Sequence, residues 1–242
     1  MKMLRLALIA ALCLLAGCNQ ASDVPAMNST LNKSNNPELN TDTHEAQHYT
    51  LSFKIADIEK PLKNITAKQL TNSILTQKID DYTVCFYHKN QDHGDVYAAI
   101  QMGTSRFEIG QVGYSAQNTE LLTVRQVDAF GKNYIKVNGT CGANCPISDY
   151  IVLDTSSPKV MRIEGHTVEA DVDRDGIKEI VATVGTAAQT SIYKRENPQI
   201  VTTNLNETLE AQEVTYDNEA NLFIAGTYEW IIEGGKLHEI VR

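Results

Sequence analysis

The chain has 242 residues, of which 42% are hydrophobic, and its formal net charge is −9. That length is enough for one sizeable hydrophobic core and short for two domains. No cluster of lysine and arginine interrupts the acidity, which disfavours nucleic-acid binding and fits a protein that meets divalent cations.

The first residues have the layout of a bacterial secretory signal peptide. Lys2 and Arg5 give a basic start, and the apolar run that follows them is too short to span a bilayer. The run ends in Leu15-Ala-Gly-Cys18, which resembles a bacterial lipobox. The resemblance implies that residues 1–17 are removed and that Cys18 carries several acyl chains, palmitate among them. Several chains anchor a protein stably to a lipid bilayer, whereas one chain does so only weakly.

The residue after the acylated cysteine bears on location. Asn19 stands where an aspartate typically retains Gram-negative lipoproteins in the inner membrane, so Asn19 favours export to the outer membrane. The sequence does not reveal the envelope type. We therefore expect a lipid anchor in the cell membrane or the outer membrane, with the protein facing outside the cytoplasm. Residues 18–48 are polar and lack apolar periodicity, which predicts a disordered tether before a β domain at 49–242.

A zinc-site pattern, His44-Glu45-Ala-Gln-His48, lies at the end of this tether. On a helix, His44 and His48 would bind one zinc ion and Glu45 would act as the general base of a hydrolase. No apolar helix surrounds the segment, and no third histidine follows at the spacing that the longer metzincin motif requires. An exported zinc-dependent hydrolase is therefore the alternative function.

The β domain begins with a predicted strand at 49–55 and one predicted helix. Thr66-Ala-Lys-Gln69 has the form of a capping box, and Leu70, Ile74 and Leu75 recur at helical spacing, so the helix should end near Ile79. The remaining chain alternates in short β-type segments separated by turns. The predicted strands are 82–88, 95–102, 106–113, 120–127, 133–137, 149–154, 159–163, 167–170, 177–184, 190–194, 199–203, 213–217, 221–225, 228–233 and 236–241.

Short strands at this spacing predict a mainly β fold. Propeller blades use four strands in roughly 40–50 residues, so residues 49–242 would supply about four blades. No clean internal repeat is visible, and the prediction is a propeller-like or partial-propeller fold with one N-terminal helix. An irregular β-sandwich is the alternative.

Three of the five cysteines fall within the β domain. Cys141 and Cys145 flank a glycine-containing turn that could bring their Cα atoms within disulfide range, and export makes a disulfide permissible. The loop that they would close is small, so a bridge would stabilise the fold little. Cys85 lies in an apolar run and is interpreted as a buried free thiol.

The stretch Asp171-Val-Asp173-Arg-Asp175-Gly-Ile177-Lys-Glu179 is the most informative part of the chain. Calcium takes six to eight oxygen ligands, and alternate acids of an extended loop can converge on one ion. The predicted ligands are the side chains of Asp171, Asp173, Asp175 and Glu179 and the backbone carbonyl of Ile177. An EF-hand needs an acid at its twelfth position, which here is Ala182, and the flanking residues are strand-like. The sequence thus predicts a calcium ion in a β-hairpin.

Residues 171–184 match the pattern D-x-[DN]-x-D-G-x-x-[DE] followed by an apolar strand. In this motif the chain resembles the FG-GAP and VCBS-type repeats of integrin-like β-propellers. The resemblance implies a calcium-binding loop between two strands of a blade. It favours a non-enzymatic envelope lipoprotein that presents loops to an unidentified protein or glycan partner. An assembly or inhibitor lipoprotein whose surface alone matters is a third possibility.

Overall fold

The computed structural model describes residues 45–70, 72–89, 94–114, 116–142, 144–152 and 157–241. These residues belong to one unit, His44–Arg242. The predicted signal peptide, Cys18, His44 and most of the predicted tether lie outside the described residues. Within the described ranges, no helix has the length and apolarity needed to cross a membrane.

The fold is mainly β, as predicted from the sequence. Four very short strands come first: β1 (His48–Thr50), β2 (Lys54–Ile55), β3 (Glu59–Pro61) and β4 (Lys63–Asn64). We call residues 48–64 the N-terminal belt. The next eight strands are β5 (Asn72–Ile79), β6 (Tyr82–His88), β7 (Val96–Met102), β8 (Ser105–Gly113), β9 (Thr123–Ala129), β10 (Lys132–Thr140), β11 (Pro146–Val152) and β12 (Lys159–Glu164). They are followed by β13 (His166–Ala170), β14 (Glu179–Val184), β15 (Gln189–Glu196), β16 (Gln199–Asn204), helix α1 (Leu205–Leu209), β17 (Thr215–Asp217), β18 (Leu222–Ala225), β19 (Tyr228–Glu233) and β20 (Lys236–Glu239).

Strands β5 to β20 form four successive antiparallel meanders of four strands each: β5–β8, β9–β12, β13–β16 and β17–β20. We number these meanders one to four. Four-stranded antiparallel sheets in series are the unit from which propeller blades are built. The first and second meanders are joined by one parallel bridge between Gly113 and Thr140. At this crossing a Cβ on Gly139 would lie 2.0 Å from the carbonyl oxygen of Val112, so only glycine fits there.

The N-terminal belt adds a strand to every meander in reverse order. β1 pairs with β20, β2 with β16, β3 with β12 and β4 with β8, all antiparallel. Each of these partners is the last strand of its meander. A segment of 17 residues, 48–64, thus hydrogen-bonds to all four meanders. These pairings cover four strand edges that would otherwise be open.

Three hydrophobic cores lie between consecutive meanders. The alternation of strand side chains supplies two cores from one strand. On β10, Ile135 and Val137 face the first core while Tyr134 faces the second. On β14, Ile180 faces the second core and Val181 faces the third. The second and third meanders therefore bury side chains on both of their faces.

The predicted N-terminal helix is wrong beyond its first turn. Gln69 does accept hydrogen bonds from Thr66 through its Oε1, as a capping box would predict, but only the 3₁₀ turn Ala67–Leu70 follows. Residues 72–79 form β5, which pairs with β6 with a register shift between Ser73 and Leu75. The irregularity lets both Ile74 and Leu75 pack against the first core, so their spacing imitates a helix.

The α-helix that does form, α1, was not predicted. Asn204 caps it, because its side-chain oxygen accepts a hydrogen bond from the backbone N–H of Glu207 at 2.9 Å. An N-cap asparagine followed three residues later by glutamate is a recognised start signal for a helix. The helix has only five residues, too few for an apolar period to emerge.

Candidate metal centre

The predicted acidic loop connects β13 and β14, which pair antiparallel with Ala170 opposite Glu179. Residues 171–178 form a tight excursion at the end of this hairpin. Gly176 has φ +90° and Arg174 has φ +62°, so the loop turns through two left-handed residues. Glycine adopts such a φ without steric cost, which accounts for its place in the loop.

Three carboxylates converge inside the loop. One oxygen from each of Asp171, Asp173 and Glu179 lies within 4.8 Å of the others. Glu179 is buried, with 4% of its surface exposed, and its Oε2 accepts a hydrogen bond of 3.1 Å from the backbone N–H of Val172. Glu179 is thus held inside the fold, while Asp171 and Asp173 are partly buried.

Asp171 supplies the most informative atom. Its Oδ2 accepts a hydrogen bond of 3.0 Å from the backbone N–H of Gly176. Its Oδ1 is buried and has no hydrogen-bond partner. A buried carboxylate oxygen without a partner is costly, and a bound cation would remove that cost.

The carboxylate of Asp175 does not join this group. Asp175 accepts a hydrogen bond of 2.7 Å from the backbone N–H of Ile177 through its Oδ1, so it stabilises the turn. The structure therefore brings together Asp171, Asp173 and Glu179 of the four predicted side-chain ligands.

The electrostatics of the loop favour a cation. Burial, and then the charges of Asp173 and Asp175, raise the pKa of Glu179 to about 7. Burial and the neighbouring Asp175 also raise the pKa of Asp173. Both shifts show that the folded loop disfavours its own negative charge. Three hard carboxylate oxygens, without sulfur or imidazole, suit calcium or magnesium better than zinc.

The loop also makes the junction between the third and fourth meanders. Asn221, which precedes β18, donates a hydrogen bond of 2.9 Å to the backbone carbonyl of Asp171. Val172 is buried in the third core together with Ile232 and Leu237 of the fourth meander. Arg174 lies 3.8 Å from Glu233 on β19. Sequence reasoning missed Asn221, since no local signal connects residues 50 positions apart.

The cysteine positions are also resolved. Cys141 and Cys145 form a disulfide with their Cα atoms 5.2 Å apart, and the backbone N–H of Cys141 donates to the carbonyl of Cys145 at 2.8 Å. Cys85 is free but only partly buried, and its Sγ lies 3.3 Å from the hydroxyl of Ser73. The exposed edge strand β5 beside it explains why the thiol is less buried than expected.

Residues 45–48, the described part of the zinc-hydrolase motif, form no helix. His48 is the first residue of β1, where it pairs with His238 and the two rings meet edge to face at 4.8 Å. The zinc motif requires two histidines one helical turn apart, a geometry that a strand does not provide.

No family model matches the chain, and neither the curated proteins nor the solved structures contain a match.

Proposed function

We propose that this protein is a lipid-anchored envelope protein with a calcium-stabilised β domain that acts as a binding module. The observation that carries the metal part is the convergence of Asp171, Asp173 and Glu179, with the buried Oδ1 of Asp171 left without a partner. These three side chains would coordinate calcium, and water or loop carbonyls would complete its coordination.

The role proposed for the ion is structural. The loop lies against the fourth meander through Asn221 and Val172, so a bound ion would fix the junction between two sheets. The carboxylates accept hydrogen bonds from backbone N–H groups of their own loop. These hydrogen bonds fix the carboxylates within the loop, which supports a structural role for the ion.

The metal part is tested by calcium titration of the full chain in detergent, with bound metal measured by mass spectrometry. We expect about one calcium ion per chain, with a dissociation constant in the range of roughly 10⁻⁴ to 10⁻³ M that extracellular sites show. Asp171→Asn should abolish binding. Asp81→Asn, which changes an exposed aspartate in the turn between β5 and β6, is the matched control and should leave it intact. Stoichiometric zinc in place of calcium would favour the hydrolase alternative.

The anchoring part is tested separately. The full chain produced in a bacterial host should partition into the detergent phase, because acyl chains on Cys18 confer membrane affinity. Cys18→Ala should move the protein to the aqueous phase without changing calcium binding. Equal partitioning of both proteins would contradict the lipid anchor and leave the metal proposal standing.

A further inference from the structure

A cavity of about 620 Å³ lies between the second and third meanders. Its walls come from β9, β10, β11 and β13, together with the disulfide-bonded turn at 141–145. Sites for small molecules usually occupy about 300–1,000 Å³ and occur where structural layers separate. None of the calcium-loop residues lines this cavity, so it is independent of the metal centre.

One face of β10 shows why the cavity exists. Tyr134 is buried in the second core, and the next residues on the same face are Lys136, Asn138 and Thr140. The interface between the second and third meanders is therefore filled by buried aromatic side chains at one end. At the other end it is polar and open. Polar side chains cannot close an interface by apolar packing, so the sheets leave space between them.

The polar wall is a hydrogen-bonded chain of side chains. Asn138 donates to the hydroxyl of Thr123 at 2.9 Å, and Ser148 donates to the side-chain oxygen of Asn138 at 3.1 Å. Thr167 in turn donates to Ser148 at 2.7 Å. These bonds fix the wall but leave the hydroxyl hydrogen of Thr123 and the second amide hydrogen of Asn138 for a ligand. A fixed wall of this kind is pre-organised for hydroxyl groups.

Two cations and two carboxylates lie at or beside the cavity, and one of the carboxylates contacts both cations. Glu169 accepts from Lys136 at 2.7 Å, from Tyr150 at 2.6 Å and from Arg125 at 3.3 Å. One carboxylate therefore faces two cations. Lys136 is 1% exposed and occupied by Glu169, whereas the side chain of Arg125 is 52% exposed. Glu120 and His166, both exposed, lie at the cavity as well.

Arg125 has hydrogen-bond donors left over for a ligand. A guanidinium has five N–H donors, and a single contact of 3.3 Å to Glu169 uses one of them. The planar fork that remains matches a carboxylate in a bidentate arrangement. Leu121 offers apolar surface at the same cavity for a carbon skeleton.

We propose that this cavity binds a small hydroxylated carboxylate, a class that includes the sugar acids. The carboxylate pairs with Arg125, and the hydroxyl groups bond to Thr123 and Asn138. The carbon skeleton lies against Leu121.

The test is calorimetric titration of the full chain with glucuronate, glucose and succinate. Glucuronate should bind at least about tenfold more tightly than glucose, which lacks the carboxylate, and than succinate, which lacks the hydroxyls. Arg125→Gln should weaken glucuronate binding by about ten- to a hundredfold, while Lys132→Gln, an exposed cation in the same β9–β10 hairpin outside the cavity lining, should leave it unchanged. Arg125→Gln keeps the Lys136–Glu169 pair, so the fold should persist.

A second variant separates the hydroxyl contacts from the charge. Thr123→Val should reduce the preference for glucuronate over succinate, because it removes a hydroxyl partner and retains Arg125. The proposal is overturned if glucuronate up to roughly 10 mM gives no binding, or binds no better than glucose or succinate. It is also overturned if Arg125→Gln binds as tightly as the wild type, or if Thr123→Val keeps the full preference.

Discussion

Replacing Glu179 by glutamine should destabilise the protein when calcium is bound. When calcium is removed, the same substitution should leave the protein at least as stable as the wild type at pH 8. Glu179 is buried, and a glutamine at this position can still accept the hydrogen bond from the backbone N–H of Val172. The substitution therefore removes a charge and keeps the shape. With calcium bound, it removes a ligand. Without calcium, it removes one of three carboxylates whose oxygens lie within 4.8 Å.

The two magnitudes can be worked out separately. A ligand present at a hundred times its dissociation constant stabilises the folded protein by about 2.7 kcal/mol. For a domain of this size, that corresponds to a rise in melting temperature of about 5–10 °C. Without calcium, two carboxylates 4.8 Å apart repel each other by about 3.5 kcal/mol at an effective dielectric constant near 20.

The pH dependence follows from the raised pKa of Glu179, about 7 in the folded protein without calcium. A carboxyl whose folded pKa is raised contributes stability below its unfolded pKa, and that stability is lost as pH rises toward the folded pKa. In a chelator, the wild type should therefore lose stability between about pH 4.5 and pH 7. Glu179→Gln should lose less, and at pH 8 it should be at least as stable as the wild type.

The assay is thermal unfolding of the full chain at pH 8 in calcium and in chelator, with hydrogen exchange read for each meander. Calcium should raise the melting temperature of the wild type and protect the third and fourth meanders, because Asn221 joins them at the loop. The first meander serves as the internal reference. If both proteins respond equally to calcium, or if the wild type is the more stable in chelator at pH 8, the reasoning is refuted.

Three further outcomes are expected from urea unfolding. Burial lowers the pKa of Lys136 to about 8, so the wild type should gain about 1–2 kcal/mol of stability between pH 8 and pH 10, a gain that Lys136→Met should lack. Arg162→Met should lower the free energy of unfolding by about 3–5 kcal/mol, because it leaves the fully buried Asp149 without its ion-pair partner. Adding Asp149→Asn should restore much of this loss. Cys145→Ser should cost no more than about 2 kcal/mol, because the disulfide closes a five-residue loop; a larger loss would show that the bridge supports more than its own turn.

The longer strands could be predicted because their side chains alternate between two buried faces. Tyr82–His88 was predicted with its observed bounds, and 228–233 likewise. Of the belt, only residues 49–55 were predicted as a strand, and the structure has two shorter strands there, β1 and β2. The belt's strands have two or three residues, mostly exposed, and their pairing depends on backbone hydrogen bonds to strands far along the chain. The sequence carries no side-chain signal for such contacts.

The acidic loop was predictable because its ligand types and its turn are local. The spacing of Asp171, Asp173 and Glu179 and the glycine between them lie within nine residues, and the hairpin follows from the flanking strands. The role of Asp175 was not predictable, since the same side chain can bind a metal or accept a hydrogen bond from the backbone of the turn. The structure assigns it the hydrogen bond to Ile177.

The belt and the metal loop meet at one place, which gives the proposed ion a mechanical role. Leu51 and Phe53 of the belt line a small cavity with Asp173 and Glu179 of the loop. If the chain is anchored through Cys18, a pull on its N-terminal side acts first on β1, which is held by only three residue pairs to β20. β20 belongs to the fourth meander, and the loop joins that meander to the third. An ion in the loop would therefore stabilise the fourth meander, on which the force acts first. The cavity between the second and third meanders would be affected much less.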